Sequence, residues 1–396
     1  MPWKVSHTVN ERMQFVMKLQ SGEKMTDLCR EFGISRKTGY KFRDRFLKDG
    51  PVGLLDESRK PVTSPNQTSP QIRELLIAAK KEKPHWGASK VRGFLLIKNA
   101  KLELPSRYTI QSIFTKEGLI TPRGKRRDRI KNAGCYQKNI AKSEIPNQLW
   151  CADFKGQFRL GSGRYCYPLT VTDHFSRYLL GCEGLEDTKA DGAKSGFQAV
   201  FEEFGLPDAI RTDNGSPFAS GGLFGLSQLS VWWMRLGIQL QRIEPGHPEQ
   251  NGRHERMHLT LKQQTTRPAG RGFLEQQQRF DEFREEFNNE RPHEALKMRP
   301  PKDVYKKSKR LFSKELPELK YPLHDLSAEV YPNGAVCIKK GRIKFHLSQA
   351  FSGETVGLRE DEVGMWTVSF MNLDLGVYDH REGRFKPADR PAASSR

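Results

Sequence analysis

Apolar positions recur at helical spacing in the N-terminal third of this chain and at strand spacing beyond it. Residues 25–46, MTDLCREFGISRKTGYKFRDRF, put Leu28, Cys29 and Phe32 on one face of a short helix that Thr26 can cap. Gly33 then makes a turn and Ser35 caps a second helix. PVTSPNQTSP at 61–70 is rich in Pro, Ser, Thr and Asn and reads as a linker. After it, IRELLIAAKKEKP is helical up to Pro84, and WGASKVRGFLL and PSRYTIQSIFTKEGL each pair a serine cap with apolar residues at helical spacing. From about residue 146, LWCADFKGQFRL, RYCYPLTVTDHF and SRYLLGCEGL are short runs rich in aromatic and β-branched residues, hence strands. A helix at 189–205, the strand DAIRTD, a helix around LSQLSVWWMRLG, the strand IQLQRIEP and a long helix after NGRHE follow. Three strands followed by alternating helix and strand predict an α/β layer domain with a mixed sheet. The runs AVCIKK, GRIKFHL, ETVGLRE, MWTVSFM and LGVYDH predict a small β-barrel or sandwich near the C-terminus.

The expected organisation is multidomain. It has a helix-turn-helix domain at 1–60, a second helix-turn-helix-like domain at 61–122, a basic linker at 123–145, an α/β core at 146–310, a small β-barrel at 320–380 and a polar tail at 381–396. A chain of 396 residues fits several cores at about 100–200 residues each. Lys and Arg number 67 against 47 Asp and Glu, a net charge of +20, so the expected partner is a polyanion, with nucleic acid ahead of a membrane. The cations sit where DNA contact needs them. The second helix of the first pair bears Arg36, Lys37 and Lys41 beside Ser35, and its N-terminal residues would meet base edges in a major groove. Ser106 followed by Arg107, Thr109 and Gln111 starts what looks like another recognition helix. PRGKRRDRIKN at 122–132, with Lys125, Arg126 and Arg127, carries six Lys or Arg against one Asp and suits a path along a phosphate backbone. Neither a signal-peptide core nor a run of about 18 apolar residues is found, so a soluble intracellular protein is expected. Six scattered cysteines without a C-x-x-C pair argue against a zinc module and a disulfide framework.

Candidate chemistry centres on RTDNGSPF at 211–218. Asp-Asn-Gly is an ordinary turn sequence. Asp213 means more beside Asp153, within the first strand, and Glu255, just inside a helix: three carboxylates from distant positions could share one rim. Phosphodiester chemistry uses such hard oxygen ligands to hold two Mg²⁺ ions about 4 Å apart, with Mn²⁺ as a substitute.

WCADFKG, TVTDHFSRY, RTDNGSPF and PGHPEQNGRHERMH, with FNNERPHEALKMRPP at 287–301, resemble the integrase-type core shared by bacterial insertion-sequence DDE transposases and retroviral integrases. The resemblance implies a ribonuclease-H-like core whose catalytic and metal-binding triad is Asp153, Asp213 and Glu255. It implies a DNA transposase that binds the terminal inverted repeats of its element, frees 3′ ends and joins them to target DNA, working as a homo-oligomer on DNA in the bacterial cytoplasm. Lys262, two turns after Glu255 on the same helix face, would contact the DNA end. Forty-one residues lie between Asp213 and Glu255, more than is usual in retroviral integrases, and an extension around GGLFGLSQLSVWW would absorb them. Glu249, in the loop PGHPEQNG, is the alternative third ligand. A DNA-binding regulator without catalysis, or a nuclease that cuts and never joins, would use the same segments. Asp173 is expected to be structural, His174, His247, His254 and His258 to be exposed and hydrogen-bonded, and Trp232 and Trp233 to be core.

Overall fold

The structure, a computed structural model, describes residues 8–57, 67–120, 143–244, 248–338 and 343–388. It divides into two units, Met1–Thr68 and Ser69–Arg396.

The first unit holds α1 (Thr8–Gln20), α2 (Met25–Glu31) and α3 (Arg36–Asp49). Gly33 turns with φ +61°, and the Ser35 hydroxyl accepts the Thr38 N–H at 3.2 Å to cap α3. Thr26 does not cap α2. It lies inside the helix, after the cap residue Lys24, where a side chain no longer faces the free N–H groups. The core is Phe15, Val16, Leu28, Cys29, Ile34, Phe42 and Leu54. Gly39 lets α3 approach it: a Cβ there would come within 2.9 Å of Met25, Cys29 and Phe15.

The second unit opens with α4 (Pro70–Glu82), α5 (Ala88–Lys98) and α6 (Arg107–Lys116) around Leu76, Trp86, Val91, Phe94, Ile110 and Phe114. Ser69 and Ser106 cap α4 and α6, whereas α5 is capped by Gly87 and Ser89 lies within it. The expected linker 61–70 is outside the described residues up to position 66, and its end is the cap of α4.

The core of this unit comprises β1 (Leu149–Phe154), β2 (Phe158–Arg159), β3 (Tyr165–Asp173), β4 (Leu179–Leu185), α7 (Ala190–Phe204), β5 (Ala209–Thr212), α8 (Gln228–Arg235), β6 (Gln239–Arg242), α9 (Gly252–Thr265) and α10 (Phe273–Asn289). The sheet runs β2-β3-β1-β5-β6 with β4 also on β3. Pairs β1/β3 and β3/β4 are antiparallel, and β1/β5 and β5/β6 are parallel. The strand period of two sorts the side chains. Trp150, Ala152, Leu169 and Val171 pack against α7 and α8 through Phe197, Phe201, Trp232 and Trp233, while Cys166 and Cys182 pack against α9 and α10 through Met257, Leu261, Phe280 and Phe283. This mixed sheet between helical layers is the expected ribonuclease-H-like core, and Trp232 and Trp233 are buried in it as expected. A 3-10 turn, Leu223–Gly225, and the capping box of Ser227 occupy the stretch expected to absorb the long Asp213 to Glu255 spacing.

Seven strands follow: β7 (Leu326–Glu329), β8 (Ala335–Ile338), β9 (Ile343–His346), β10 (Thr355–Glu362), β11 (Met365–Phe370), β12 (Leu373–Asp379) and β13 (Arg384–Pro387). They do not form the expected β-barrel. Five make an open sheet, β13-β12-β11-β10-β7, and β8 and β9 form a separate hairpin; among the described residues nothing closes the sheet on itself. The reason is what covers its apolar face: Val336 and Phe345 of the hairpin, with Leu226 and Val231 from the start of α8, pack on Val356, Leu358, Val368 and Phe370. Arg235 and Glu354, 3.2 Å apart, add an ion pair between α8 and this sheet. The last strand also reaches into the segment expected as a polar tail. The five cysteines among the described residues are unpaired, and no helix there is long and apolar enough to cross a membrane.

Candidate active site

Parallel pairing of β1 with β5 sets Leu149 opposite Ala209, Trp150 opposite Ile210 and Cys151 opposite Arg211. Asp153 lies two residues further along β1 and Asp213 just past the end of β5, so both carboxylates come to the same end of the sheet, near enough for the charge of Asp213 to act on Asp153. Asp213 follows directly on β5. Its Oδ1 accepts the Gly215 N–H at 3.1 Å, and the Asn214 amide donates to the Ile243 carbonyl at 2.9 Å, which ties the turn to the end of β6. The DNG sequence is therefore a turn, and the turn fixes the carboxylate.

Glu255 stands in the first turn of α9, exposed, over the face of the sheet that carries Asp153. The Asp153 carboxyl is pushed up to about 7, first by burial, then by the negative charge of Asp213 and, further down, by that of Glu255. Three acids thus share one field. Among the described residues no three His, Cys, Asp or Glu side chains are gathered closely enough to enclose an ion. The donor set nonetheless suits a hard divalent cation: it is all-oxygen and crowded with like charge, opposed by a backbone hydrogen bond from Phe154 and, more weakly, by the nearby Lys155. Lys262 is exposed on α9, and its charge reaches Lys155, whose ammonium is held below the usual lysine range by burial and then by Lys262. Lys155 itself, two residues past Asp153, was not singled out from the sequence.

Beneath the carboxylates lies a polar layer that the sequence reading placed wrongly. His254 and His258 are buried, only 2% and 7% exposed, rather than exposed. Thr170, paired with Asp153 across β1 and β3, donates its one hydroxyl proton to the Asp153 carbonyl at 3.0 Å. Both histidines reach the same hydroxyl oxygen through Nε2 at 2.7 Å, so both must donate. His254 Nδ1 is then an acceptor and takes the Thr172 hydroxyl proton at 2.8 Å. His258 turns its bare Nδ1 towards the Asp153 carboxyl, 3.8 Å away. Burial holds both rings neutral, pushed down to about 3 for His254 and about 2 for His258. The signal was present in the sequence: His254, Met257, His258, Leu261 and Thr265 form one helical stripe, all of it buried. His174 is half-buried between Ser143 Oγ at 2.7 Å and Arg253 Nη1 at 3.1 Å, and His247 lies outside the described residues.

Asp173 is buried and accepts from the Asn147 N–H at 2.8 Å and from the Ser176 N–H and hydroxyl at 2.7 and 2.6 Å, which leaves it no free edge for a substrate. Glu249 stands in a 3-10 turn, Pro248–Asn251, that leads directly into α9. Ser35, Arg36, Lys37 and Lys41 are all exposed at the start of α3, and Arg107 is exposed at the start of α6. Lys125, Arg126 and Arg127 lie outside the described residues.

Comparison with known proteins agrees with this architecture. An integrase core domain is matched over residues 143–248 and 236–301, a helix-turn-helix domain over 11–61 and a homeodomain-like domain over 38–114. Fold and sequence together define a protein with an integrase core behind helix-turn-helix segments. The chain is 26% identical over 207 residues to the uncharacterized 31.7 kDa protein of insertion element IS407 from Burkholderia multivorans, covering 49% of this chain and 67% of that protein. It is 31% identical over 186 residues to the uncharacterized 39.2 kDa protein of insertion element IS476 from Xanthomonas euvesicatoria, covering 45% of this chain and 49%, about half, of that protein. The Pol polyprotein of a radiation murine leukemia virus is 28% identical over 143 residues, 34% of this chain and 23% of that one. Among solved structures, the HTLV-2 integrase catalytic core domain in complex with magnesium, trimeric form, is 15% identical, with 41% of this chain and 99% of that one covered and a TM-score of 0.33. The sequence matches make the chain similar to proteins of bacterial insertion elements that carry an integrase-like core, and they support a transposase-like DNA-integration function.

Proposed function

We propose that this protein binds the terminal inverted repeats of its own insertion sequence, cleaves there to free 3′ ends and joins those ends to target DNA. What supports the reading is the placement of Asp153 near the end of β1 and of Asp213 just after the neighbouring parallel strand β5, with the charges of Asp213 and Glu255 both acting on the half-buried Asp153 carboxyl. Asp153, Asp213 and Glu255 would hold two Mg²⁺ ions. When bound, such a pair supplies charge stabilisation to the attacking and leaving oxygens of an in-line phosphoryl transfer. The chain's own residues do the rest. Thr170, His254 and His258 fix α9 against β1 and β3, and so hold Glu255 in place over Asp153. Lys155 and Lys262 offer positive charge to the DNA end beside the carboxylates. Ser35, Arg36, Lys37 and Lys41 on α3 read the repeat, Arg107 on α6 contributes a second contact, and Lys125, Arg126 and Arg127, which follow α6 in the sequence, add contacts to phosphates. Two ends must be held at once, which calls for a homo-oligomer on DNA.

The test is strand joining. Asp153→Asn and Asp213→Asn should each lower Mg²⁺-dependent cleavage and joining by at least about 100-fold while end binding survives, because a neutral amide is a poor ligand for a hard cation. Substantial joining by either variant would overturn the assignment. Cleavage without joining by the wild type would make it a nuclease. For the third ligand, Glu255→Gln and Glu249→Gln are compared side by side, and only the former should be inactive.

A further inference from the structure

A second feature of the same unit lies between α5, α6 and the 3-10 turn Glu294–Leu296 that follows α10. Here Lys90, Arg107, Tyr108, Gln111 and Glu294 line a cavity of about 370 Å³, within the size range of sites that take one small ligand. Its charge balance points to an anion. Lys90 is largely buried yet forms no ion pair among the described residues, and it feels the positive charges of Arg291 and Arg256 as well as the negative charges of Glu294 and Glu286. Glu286 is already engaged by Lys83 at 3.1 Å and by the Trp86 indole N–H at 3.2 Å, so it neutralises little of this excess. Glu294 on the cavity wall offsets part of the charge of Lys90 and Arg107, but among the described residues it forms an ion pair with neither, and an anionic ligand relieves the remaining cost of holding these cations together. One exposed member of the wall is aromatic: Tyr108 is 71% exposed, and the Arg107 guanidinium lies 4.7 Å from its ring centroid and donates to its hydroxyl at 2.8 Å. A large flat ring left open beside cations is a surface for a nucleobase. Arg256, within electrostatic reach of Lys90, is the neighbour of Glu255 on α9, so the cavity and the carboxylates are linked by one helix.

We propose that this cavity binds a single unpaired nucleotide of a DNA strand, its phosphate on Lys90 and Arg107 and its base against Tyr108. The proposal rests on the DNA-binding reading above and adds to it a place for an extruded or frayed nucleotide between the second helical segment and the catalytic core. Gln111 and Glu294 supply hydrogen-bonding groups for a base edge, and Glu294 as an acceptor favours bases that carry an exocyclic amino group.

The experiment uses the full chain and two probes, a short fluorescein-labelled single strand of mixed sequence and the same sequence as a blunt duplex, titrated by fluorescence anisotropy over a range of salt. Tyr108→Ala should weaken single-strand binding about tenfold and leave duplex binding within twofold, since the loss is of one stacked base. Lys90→Gln should weaken single-strand binding by a similar factor and lower the salt slope by about 0.7, the value for one phosphate contact on a single strand. An excess of a free nucleoside monophosphate should compete for the single strand against wild type and not against Tyr108→Ala, whereas inorganic phosphate alone should compete weakly. Tyr108 is exposed, so its variant has no folding defect to hide behind. If wild type binds both probes and the two variants match it in affinity and slope, the nucleotide site is overturned and the DNA-binding reading stands. If wild type binds neither probe, both are overturned.

Discussion

At the scale of single residues, Asp153 shows why an acidic cluster cannot be judged from the chain alone. Its chemistry comes from two partners more than fifty residues away and from burial in the strand end, none of which is local to WCADFKG. Removing its charge relieves the crowding, so Asp153→Asn should raise the thermal midpoint of the metal-free protein above that of wild type near pH 8. Added Mg²⁺ should raise the wild-type midpoint and leave the variant nearly unmoved. Differential scanning fluorimetry with EDTA or Mg²⁺ reads both, and equal Mg²⁺ shifts in the two proteins would remove Asp153 from the metal site. Lys90 supplies a different pH signature. Burial, then Arg291, holds it down at about 8, against 10.5 for an ordinary lysine, while Arg256 adds to that depression and Glu294 and Glu286 oppose it. Below about pH 8 the charged form is present in folded and unfolded chains alike and the fold bears the cost of burying it; between about 8 and 10.5 the folded chain is neutral there and recovers stability. DNA affinity moves the other way, because only the charged form binds phosphate. Single-strand affinity of wild type should therefore fall several-fold more between pH 7.5 and 9 than that of Lys90→Gln, by about threefold to tenfold. Every other group is common to the two proteins, which makes the difference between them the diagnostic quantity.

At the scale of elements, the serine caps of α3 and α6 were legible because each stands just before a run of helix formers and meets the N–H three residues on. Thr26 and Ser89 looked alike and failed. Each lies two residues too far in, behind Lys24 and Gly87, and cap position depends on backbone angles that composition does not reveal. Helix α9 is the more instructive case. Its run of good helix formers predicted a rigid carrier for Glu255, and the stripe shared by His254, His258, Met257 and Leu261 marked its buried face, but nothing in RHERMHLTLKQQ says that β3 will present Thr170 and Thr172 as the histidines' partners. Replacing Thr170 by Val leaves the Nε2–H donors of His254 and His258 buried without an acceptor. At about 1–3 kcal/mol for an unsatisfied buried group, Thr170→Val should cost about 2–4 kcal/mol in urea unfolding and also slow strand joining by letting α9 shift. Thr170→Ser keeps the hydroxyl and should recover most of both. If Val and Ser variants unfold at the same urea concentration, the hydroxyl is not what pins α9.

At the scale of the whole molecule, hydrophobic patterning separated the helical, α/β and β-rich segments, but it could not show which of them share a core. The β-rich segment reads as a self-contained barrel because its strands are short and evenly spaced; in fact its apolar face is completed by Leu226 and Val231. The second helical segment has an apolar core of its own but leans on residues after it through polar and close-packing contacts. Lys83 pairs with Glu286 and Glu290 at 3.1 and 2.6 Å, Trp86 donates to Glu286, and Gly93 is close enough to Pro292 and Met298 that a Cβ would lie 3.1–3.2 Å from them. The Met1–Thr68 unit has its own core; residues 69–120 also have one, around Trp86 and Phe114, but its flank is tied by these contacts to residues 286–298. This asymmetry sets a prediction about fragments. Residues 1–68 alone should fold and melt cooperatively by circular dichroism, with stability of no more than about 3–5 kcal/mol, as expected of one small core. Residues 69–120 alone should be largely unfolded, because isolation leaves Lys83 and Trp86 without Glu286 and exposes the surface that packs on Pro292. The 1–68 fragment should also bind duplex DNA, with affinity that falls steeply as salt rises, since its exposed cations Arg36, Lys37 and Lys41 meet phosphates or base edges directly. A cooperative melt from the 69–120 fragment, or none from 1–68, would show that the cores are divided differently along the chain, and recognition would then have to be sought in the unit that carries the carboxylates.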